Sequence, residues 1–171
     1  MIHDNKDEFL EILRLKAKQS QVKKQQGLGR PIISLEHKGY RLVAVGNRMY
    51  YSQKWKTFHD FLLEYIRMMF GKDWGQAEFK KPFKERHPVV QWHKMAHKYM
   101  KEQQKGNGTI NTAPITGAMS AYINLSYNLY LLAHNVEVQE RLIRRLKNVS
   151  QFRGAQYETY VAAEFIKAGF R

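Results

Sequence analysis

Two different spacings of apolar residues divide the first third of the chain. Apolar side chains recur at roughly helical spacing from residue 6 to about residue 26, and the Gly-Leu-Gly sequence at 27–29 ends that pattern. After Pro31 the alternation has a period of two, which is typical of strands. The predicted strands are residues 32–35, 40–45 and 48–52. Gly46-Asn47 between the last two is predicted to form a two-residue hairpin turn.

The remaining two thirds of the chain are predicted to be helical. Thr57 is a suitable N-cap for a helix that runs to about Phe70, where Gly71 ends it. Pro88 suits the first turn of another helix, through about residue 104. Further helices are predicted from residue 73, and at residues 119–134, 136–149 and 151–168. The fold class is therefore mostly α with a small antiparallel sheet (α+β), a helical bundle of about six helices.

Residues 106–116 form a boundary in the sequence. This stretch of Gly, Asn, Thr, Ile and Pro has no periodicity and is typical of a loop. It separates a basic region with helices and a β-hairpin at 1–105 from a helical region at 117–171. Lys and Arg outnumber Asp and Glu by 22 to 11 before residue 106 and by 7 to 4 from there on.

The charge of the chain points to a class of partner. The 171 residues carry a formal net charge of +14, which favours a polyanion, with nucleic acid as the leading candidate. With no cysteine, a disulfide framework and a thiolate zinc site are both excluded. The N-terminal residues lack the features of a signal peptide, and no apolar run reaches the length of a membrane span. These observations predict a cytoplasmic protein.

Cations and aromatic residues alternate between residues 72 and 105. Lysine and arginine side chains neutralise phosphates, and exposed aromatic rings stack on unpaired bases, so this mixture suits a nucleic-acid surface. The basic end of the first helix has the same character, although a solvated helix face remains the alternative. The candidate nucleic-acid-binding residues are Lys16, Lys18, Lys23, Lys24, Lys80, Lys81, Lys84, Arg86, Lys94, Lys98 and Lys101.

His93 and His97 are four residues apart on a predicted helix, a spacing at which two imidazoles can share one metal ion. Lys94 stands where a helical metalloprotease would have glutamate, and no adjacent Cys, Asp or Glu completes a site, although His87 could. The sequence therefore disfavours a metal site and predicts no cofactor within this chain. Phosphate-binding Gly-rich loops and the Gly-x-Ser-x-Gly motif are also absent.

The helix predicted at 119–134 contains hydroxyl and amide side chains among apolar residues. A buried hydrogen-bond network or a helix–helix interface is one explanation, and a substrate pocket is the other. These polar residues are Tyr122, Asn124, Tyr127, Asn128, Tyr130 and His134.

The last predicted helix contains Gly154, Glu158 and the pair Val161-Ala162, and closes with Ala168-Gly169-Phe170. Over residues 151–171 it resembles the first helix of the PD-(D/E)XK, or restriction-endonuclease-like, superfamily, especially Mrr-type enzymes and Holliday-junction resolvases. The resemblance implies a catalytic, metal-assisting role for Glu158. A divalent ion such as Mg²⁺ would also need the later acidic strands of a nuclease core, and those strands are absent from this sequence. The chain alone therefore has an incomplete catalytic site.

A second resemblance covers much of the remaining chain. Residues 46–52, 56–62 and 85–88 are similar to segments of uncharacterised bacterial proteins, and this similarity implies no function.

Three functional hypotheses follow. The first is a nucleic-acid-binding domain, with DNA favoured over RNA, at the N-terminal side of a larger bacterial restriction-endonuclease-like protein. The second is a protein-interaction or scaffolding module with no nucleic-acid role, with a partner or a second copy bound through helices 119–149. The third is an enzyme with an unfamiliar site around His87, His93, His97 and the tyrosine-rich helix.

Overall fold

The computed structural model describes residues 3–103 and 113–170, with side chains from residue 13 onward. Within those residues it contains seven α-helices and one three-stranded antiparallel sheet, so the predicted mostly helical α+β fold is confirmed. The elements are α1 His3–Gln26, β1 Ser34–His37, β2 Tyr40–Val45, β3 Arg48–Ser52, α2 Phe58–Phe70, α3 Lys72–Lys80, α4 Pro88–Gln103, α5 Gly117–Asn135, α6 Glu140–Lys147 and α7 Phe152–Lys167. A short 3-10 helix, Phe83–Glu85, lies between α3 and α4.

Local capping sets the bounds of α2. The Thr57 hydroxyl accepts the Asp60 N–H at 3.3 Å, while the Asp60 carboxylate accepts the Thr57 N–H at 2.8 Å. This reciprocal capping box satisfies two amide groups that the first helical turn leaves without partners. At the other end the Gly71 N–H donates to the Arg67 carbonyl. Thr57 and Gly71 therefore act as the sequence predicts.

The sheet has the order β1-β2-β3, and the turn predicted at Gly46-Asn47 joins β2 to β3. Val43 is opposite Tyr50 in the register, and both pack toward the helices. The other face carries Leu35, Met49 and Tyr51, which are exposed. Alternation of side chains across the strands thus gives the sheet one core face and one solvent face.

Helix α5 is the centre of the fold. It packs against α2, α4 and α7, and its residues Leu129 and Tyr130 are fully buried. Tyr130 lies against the rings of Phe58 and Phe61 from α2, at centroid distances of 5.0 and 6.0 Å. One core therefore joins residues from both sides of the predicted 106–116 loop, of which 106–112 lie outside the described residues.

The start of α6 differs from the prediction. The pattern predicts a helix from residue 136, but Val136 is extended and α6 begins at Glu140. The Asn135 side chain accepts the Arg30 N–H at 2.6 Å and donates to the Leu131 carbonyl at 2.9 Å. The bond with Arg30 fixes the end of α5 against a segment more than a hundred residues earlier, and the chain then leaves the helical path.

Helix α1 meets the rest of the molecule at its C-terminal end. The Leu28 N–H donates to the Lys167 carbonyl at the end of α7 at 2.6 Å, and the Ile32 N–H donates to the Gln26 side chain at 2.9 Å. Residues 13–21 of α1 are all exposed, including Leu13 and Leu15. Its apolar residues in this range therefore do not join the core. No helix in the described part of the chain is long and apolar enough to cross a membrane.

Candidate nucleic-acid interface

Basic and aromatic side chains surround the turn between α3 and α4. Lys80 and Lys84 are exposed, and so are the rings of Phe79 and Phe83. Lys94 on α4 places its Nζ 5.5 Å from the centre of the Phe83 ring. We call these five residues, together with Arg86, the α3–α4 surface.

Arg86 holds the α3–α4 turn in shape. Its Nε donates to the Lys81 carbonyl and its Nη2 to the Phe79 carbonyl, each at 2.8 Å. Its guanidinium also lies 5.5 Å from the centre of the Phe79 ring. Two of its five N–H donors are therefore used within the chain, and the guanidinium lies within cation–π range of the Phe79 ring.

A buried carboxylate anchors this surface from below. Glu78 accepts the Lys81 ammonium at 2.5 Å and the His87 N–H at 2.8 Å. Burial alone would raise the pKa of Glu78, but these two hydrogen bonds outweigh it and hold the pKa below its usual range. Lys81, one of the predicted phosphate-binding residues, thus neutralises a carboxylate of its own chain.

His87 is a structural residue in this arrangement. Its imidazole is fully buried and lies 4.6 Å from the ring of Phe152 and 5.2 Å from that of Trp74. Its Nδ1 accepts the Val89 N–H at 3.3 Å, so His87 caps the start of α4. Burial lowers the pKa of His87 to about 4, which keeps the ring neutral near pH 7. Among the described residues, no aromatic pair joins His87 to His93 or to His97, which pair with each other.

The other predicted cations are exposed but not all close together. Lys98 and Lys101 continue along α4, where Lys98 is 3.7 Å from Glu102. The α1 cations lie elsewhere, since α1 joins the molecule at Lys167, whereas His87 packs on Phe152 at the opposite end of α7. A 16-residue helix separates these two ends by about 22 Å. The α1 group consists of Lys16, Lys18, Lys23 and Lys24, all exposed.

His93 and His97 stack with their ring centres 6.2 Å apart on α4. His93 is half-buried, and its Nδ1 is buried with no hydrogen-bond partner in the described part of the chain. Burial, followed by the positive charges of Arg67 and His97, lowers the pKa of His93 to about 4. Over residues 3–103 and 113–170, no group of three or more His, Cys, Asp or Glu side chains is placed to hold a metal ion.

A cleft opens beside His93, in the region that the third hypothesis names: His93, His97 and Tyr122 of the tyrosine-rich helix line it, but His87 does not. The cleft lies between α2, α3, α4 and α5 and has two adjoining cavities of about 510 and 290 Å³. Five residues line both cavities: Lys54, Glu64, Arg67, His93 and Tyr122. We call this the α2–α4 cleft. In the sequence, Arg67 appears only as a charged residue within an apolar helical run. An ordinary solvent-facing position has the same appearance, so the sequence does not distinguish the two.

Three of the six predicted polar residues of α5, Tyr122, Tyr130 and His134, have buried side chains that make hydrogen bonds to other elements, and Tyr122 also lines the α2–α4 cleft. The hydroxyls of Tyr122 and Tyr130 donate to the carbonyls of Leu63 and Ala44, at 3.0 and 3.2 Å. His134 accepts the Gly46 N–H at 3.1 Å through Nδ1, and its Nε2 is 3.1 Å from the Pro31 carbonyl. Asn124 instead remains exposed. The bonds of Tyr122, Tyr130 and His134 tie α5 to α2 and to the sheet.

Glu158 lies on the exposed side of α7. Its carboxylate forms an ion pair with Arg145 of α6, and 53% of its side chain is exposed. Glu164, one turn and a half further along, pairs with Lys167 at 2.7 Å. The metal-assisting role that the superfamily resemblance implies for Glu158 remains a prediction.

Comparisons with protein-family models, with curated proteins and with solved structures gave no match.

Proposed function

We propose that this chain binds nucleic acid, with DNA favoured, through the α3–α4 surface. In this proposal it is the DNA-binding part of a larger bacterial protein of the restriction-endonuclease-like type that α7 resembles. Cleavage is not proposed for the residues present here. One observation carries the proposal: exposed cations lie beside exposed aromatic rings on the α3–α4 turn. Arg86 and Glu78 hold this turn in shape.

The charges of this surface favour phosphate binding. Lys80, Lys84 and Lys94 form no ion pair within 4 Å among the described side chains. Two carboxylates lie at the turn: Glu78 is buried and neutralised by Lys81, and Glu85 is exposed, so the cations of the turn still outnumber its acids. A phosphate that approaches these lysines would displace counterions rather than break an internal ion pair.

The rings add a contact that phosphate binding alone lacks. Phe79 and Phe83 are 42% and 38% exposed, so part of each ring is accessible to a base. Base–aromatic stacking contributes about 1–3 kcal/mol per base and needs unpaired bases. The surface therefore suits a DNA end, a junction or a single strand better than a continuous duplex.

The proposal is tested by measuring affinity for single-stranded and double-stranded DNA over a salt series. Replacing both Lys80 and Lys84 by Gln should lower affinity for all sequences alike and reduce the slope of log affinity against log salt by about 0.7 to 0.9 per lost contact. Lys81 stays unchanged because its loss would leave Glu78 buried without its partner. RNA of the same sequence serves as the competitor that tests the preference for DNA.

Replacing Lys38 and Arg48 by Gln is the matched control. This variant loses the same charge from exposed positions on the sheet. Equal losses in both variants would mean that net charge, and not the α3–α4 surface, determines binding. A salt-independent affinity in the unmodified protein would overturn the proposal.

A second candidate function is supported by the outer face of the sheet. Leu35, Met49 and Tyr51 are 46%, 55% and 66% exposed, and the Tyr40 and Tyr51 rings meet there at 6.0 Å. Such an apolar face is typical of protein-interaction surfaces. This favours the scaffolding alternative through the sheet rather than through α5, most of which is buried. The scaffolding function would be supported if a protein that binds the unmodified chain failed to bind a Tyr51→Lys variant whose DNA affinity is unchanged.

A further inference from the structure

The α2–α4 cleft holds a cation without an internal partner. Among the described residues, Arg67 makes no ion pair within 4 Å and no side-chain hydrogen bond. It lies on the rim of both cavities and is exposed. Lys54 and Lys72 also line the larger cavity, where Glu64 is the only acidic side chain among the described residues; Asp60 lines the smaller cavity. The larger cavity is thus lined by three cationic side chains and one carboxylate.

His93 contributes an unsatisfied polar atom to the same place. Its Nδ1 is buried and has no hydrogen-bond partner among the described residues, an arrangement that destabilises the fold relative to a satisfied group. A neutral imidazole carries one N–H, and placing it on Nδ1 would let the ring donate to an anionic oxygen after a small rotation. Arg67 and His93 line both cavities, so one anion between them would satisfy both.

The larger cavity also has aromatic walls. Trp74, Phe70 and Phe79 line it together with Val89 and Val90. Its volume of about 510 Å³ is within the range of small-molecule sites. A flat ring next to a phosphate would therefore meet apolar and aromatic side chains, while the phosphate would meet Arg67.

We propose that the α2–α4 cleft binds a nucleoside monophosphate, with Arg67 and Lys54 on the phosphate, His93 as a further donor and the base against Trp74 and Phe79. This site is distinct from the phosphate contacts of the α3–α4 surface and goes beyond the proposed DNA binding. The same chemistry has two sources: a free mononucleotide, or the phosphorylated end of a strand.

Calorimetry with deoxyadenosine monophosphate, deoxyadenosine and inorganic phosphate tests the site. The monophosphate should bind at least about tenfold more tightly than either part alone, because each part makes only half of the contacts. Arg67→Gln should lower that affinity about tenfold or more, whereas Arg153→Gln, a loss of the same charge on α7, should leave it unchanged. Equal binding of nucleoside and nucleotide would overturn the proposal, as would an unaltered affinity in Arg67→Gln.

The His93 ring can be followed in the unmodified protein, so this second test does not require any variant to fold. Its nitrogen resonances in the unmodified protein should shift on addition of the monophosphate, and its pKa should rise, since a bound anion stabilises the imidazolium. His59, exposed on α2, should show neither change. Unmoved His93 resonances at saturating nucleotide would place the ligand outside the cleft and overturn the proposal.

Two further measurements distinguish the sources and separate this proposal from DNA binding. An eight-nucleotide strand with a 5′-phosphate that binds more tightly than its unphosphorylated form, with the difference lost in Arg67→Gln, identifies a strand end. Equal binding of the two strands alongside tight monophosphate binding identifies a free nucleotide. The Lys80→Gln, Lys84→Gln variant should keep its monophosphate affinity even where DNA binding fails.

Discussion

The buried carboxylate of Glu78 accepts the backbone N–H of His87 at 2.8 Å, across nine residues of chain. Its second oxygen accepts Lys81, so one side chain joins the end of α3 to the start of α4. The α3–α4 surface depends on this bond for its shape, because the turn between the two helices has no strand or long helix of its own.

Replacing Glu78 by Gln should destabilise the fold by about 1–3 kcal/mol, since the amide bonds Lys81 less strongly and leaves a buried group poorly satisfied. The pKa of Glu78 is lowered in the folded state. Its contribution is therefore present above the unfolded value near 4.5 and is lost as pH falls below it. Urea unfolding at pH 7 and pH 4 measures this. Glu85→Gln, at an exposed position, should behave like the unmodified protein at both pH values.

His87 should make stability fall in mildly acidic solution. Its pKa is about 4 in the fold and about 6.5 in the unfolded chain, so the unfolded chain binds an extra proton between these values. Stability should decrease as pH drops from 6.5 to 4, by at most about 1.4 kcal/mol per pH unit for one histidine. His93, with the same lowered pKa, adds to the effect.

The variant His87→Asn tests the assignment, because asparagine can still cap α4. It should be less stable at pH 7, since the ring contacts with Phe152 and Trp74 are lost, but its stability should depend less on pH. Urea unfolding at pH 7.5, 5.5 and 4.5 gives the slope. An unchanged slope in His87→Asn, or a reduced slope in the exposed-site variant His59→Asn, would contradict the assignment.

Arg86→Lys separates shape from charge at the α3–α4 surface. Lysine keeps the positive charge but cannot make both hydrogen bonds to the carbonyls of Phe79 and Lys81. DNA affinity should fall in Arg86→Lys nearly as far as in Arg86→Gln, and amide exchange should speed up at residues 81–87. An Arg86→Lys variant that binds DNA like the unmodified protein would show that Arg86 acts as a charge alone.

Two glycines allow a matched test of the joint between α1 and α7. Gly27 and Gly39 have nearly equal φ angles of 79° and 78°, but a Cβ at Gly27 would lie 2.5 Å from the Lys167 carbonyl, whereas one at Gly39 meets nothing within 4 Å. Gly39→Ala should cost about 1–2 kcal/mol from the backbone alone. Gly27→Ala should in addition break the Leu28–Lys167 hydrogen bond, which faster exchange of the Leu28 amide would report. Equal protection of that amide in both variants would contradict the geometry.

The features that the sequence predicts correctly are those that nearby residues determine. The bounds of α2 follow from Thr57, Asp60 and Gly71, and the β2–β3 turn from Gly46 and Asn47, all local chemistry. The late start of α6 depends on a hydrogen bond between Asn135 and Arg30, whose separation of 105 residues no local pattern reflects.

The same distinction applies to the candidate sites. The predicted lysines are exposed because they are charged, so the sequence alone predicts their exposure. The bracing role of Arg86 depends on where a turn brings two carbonyls, and the α2–α4 cleft depends on how α2, α3, α4 and α5 pack. Arg67 belongs to a candidate site only because it lines the same cleft as His93, which is distant in sequence. Periodicity alone could not single out Arg67.

The connection of α1 at Gly27 and Leu28 gives that helix mechanical leverage. Its 24 residues extend about 36 Å from the joint. A rotation of about 10° there would carry the far end through about 6 Å and Lys16, eleven residues from Gly27, through about 3 Å. A small change at Lys167 would therefore move Lys16 and Lys18 at least about twice as far as Lys23 and Lys24, which lie close to the joint, while the core stays still.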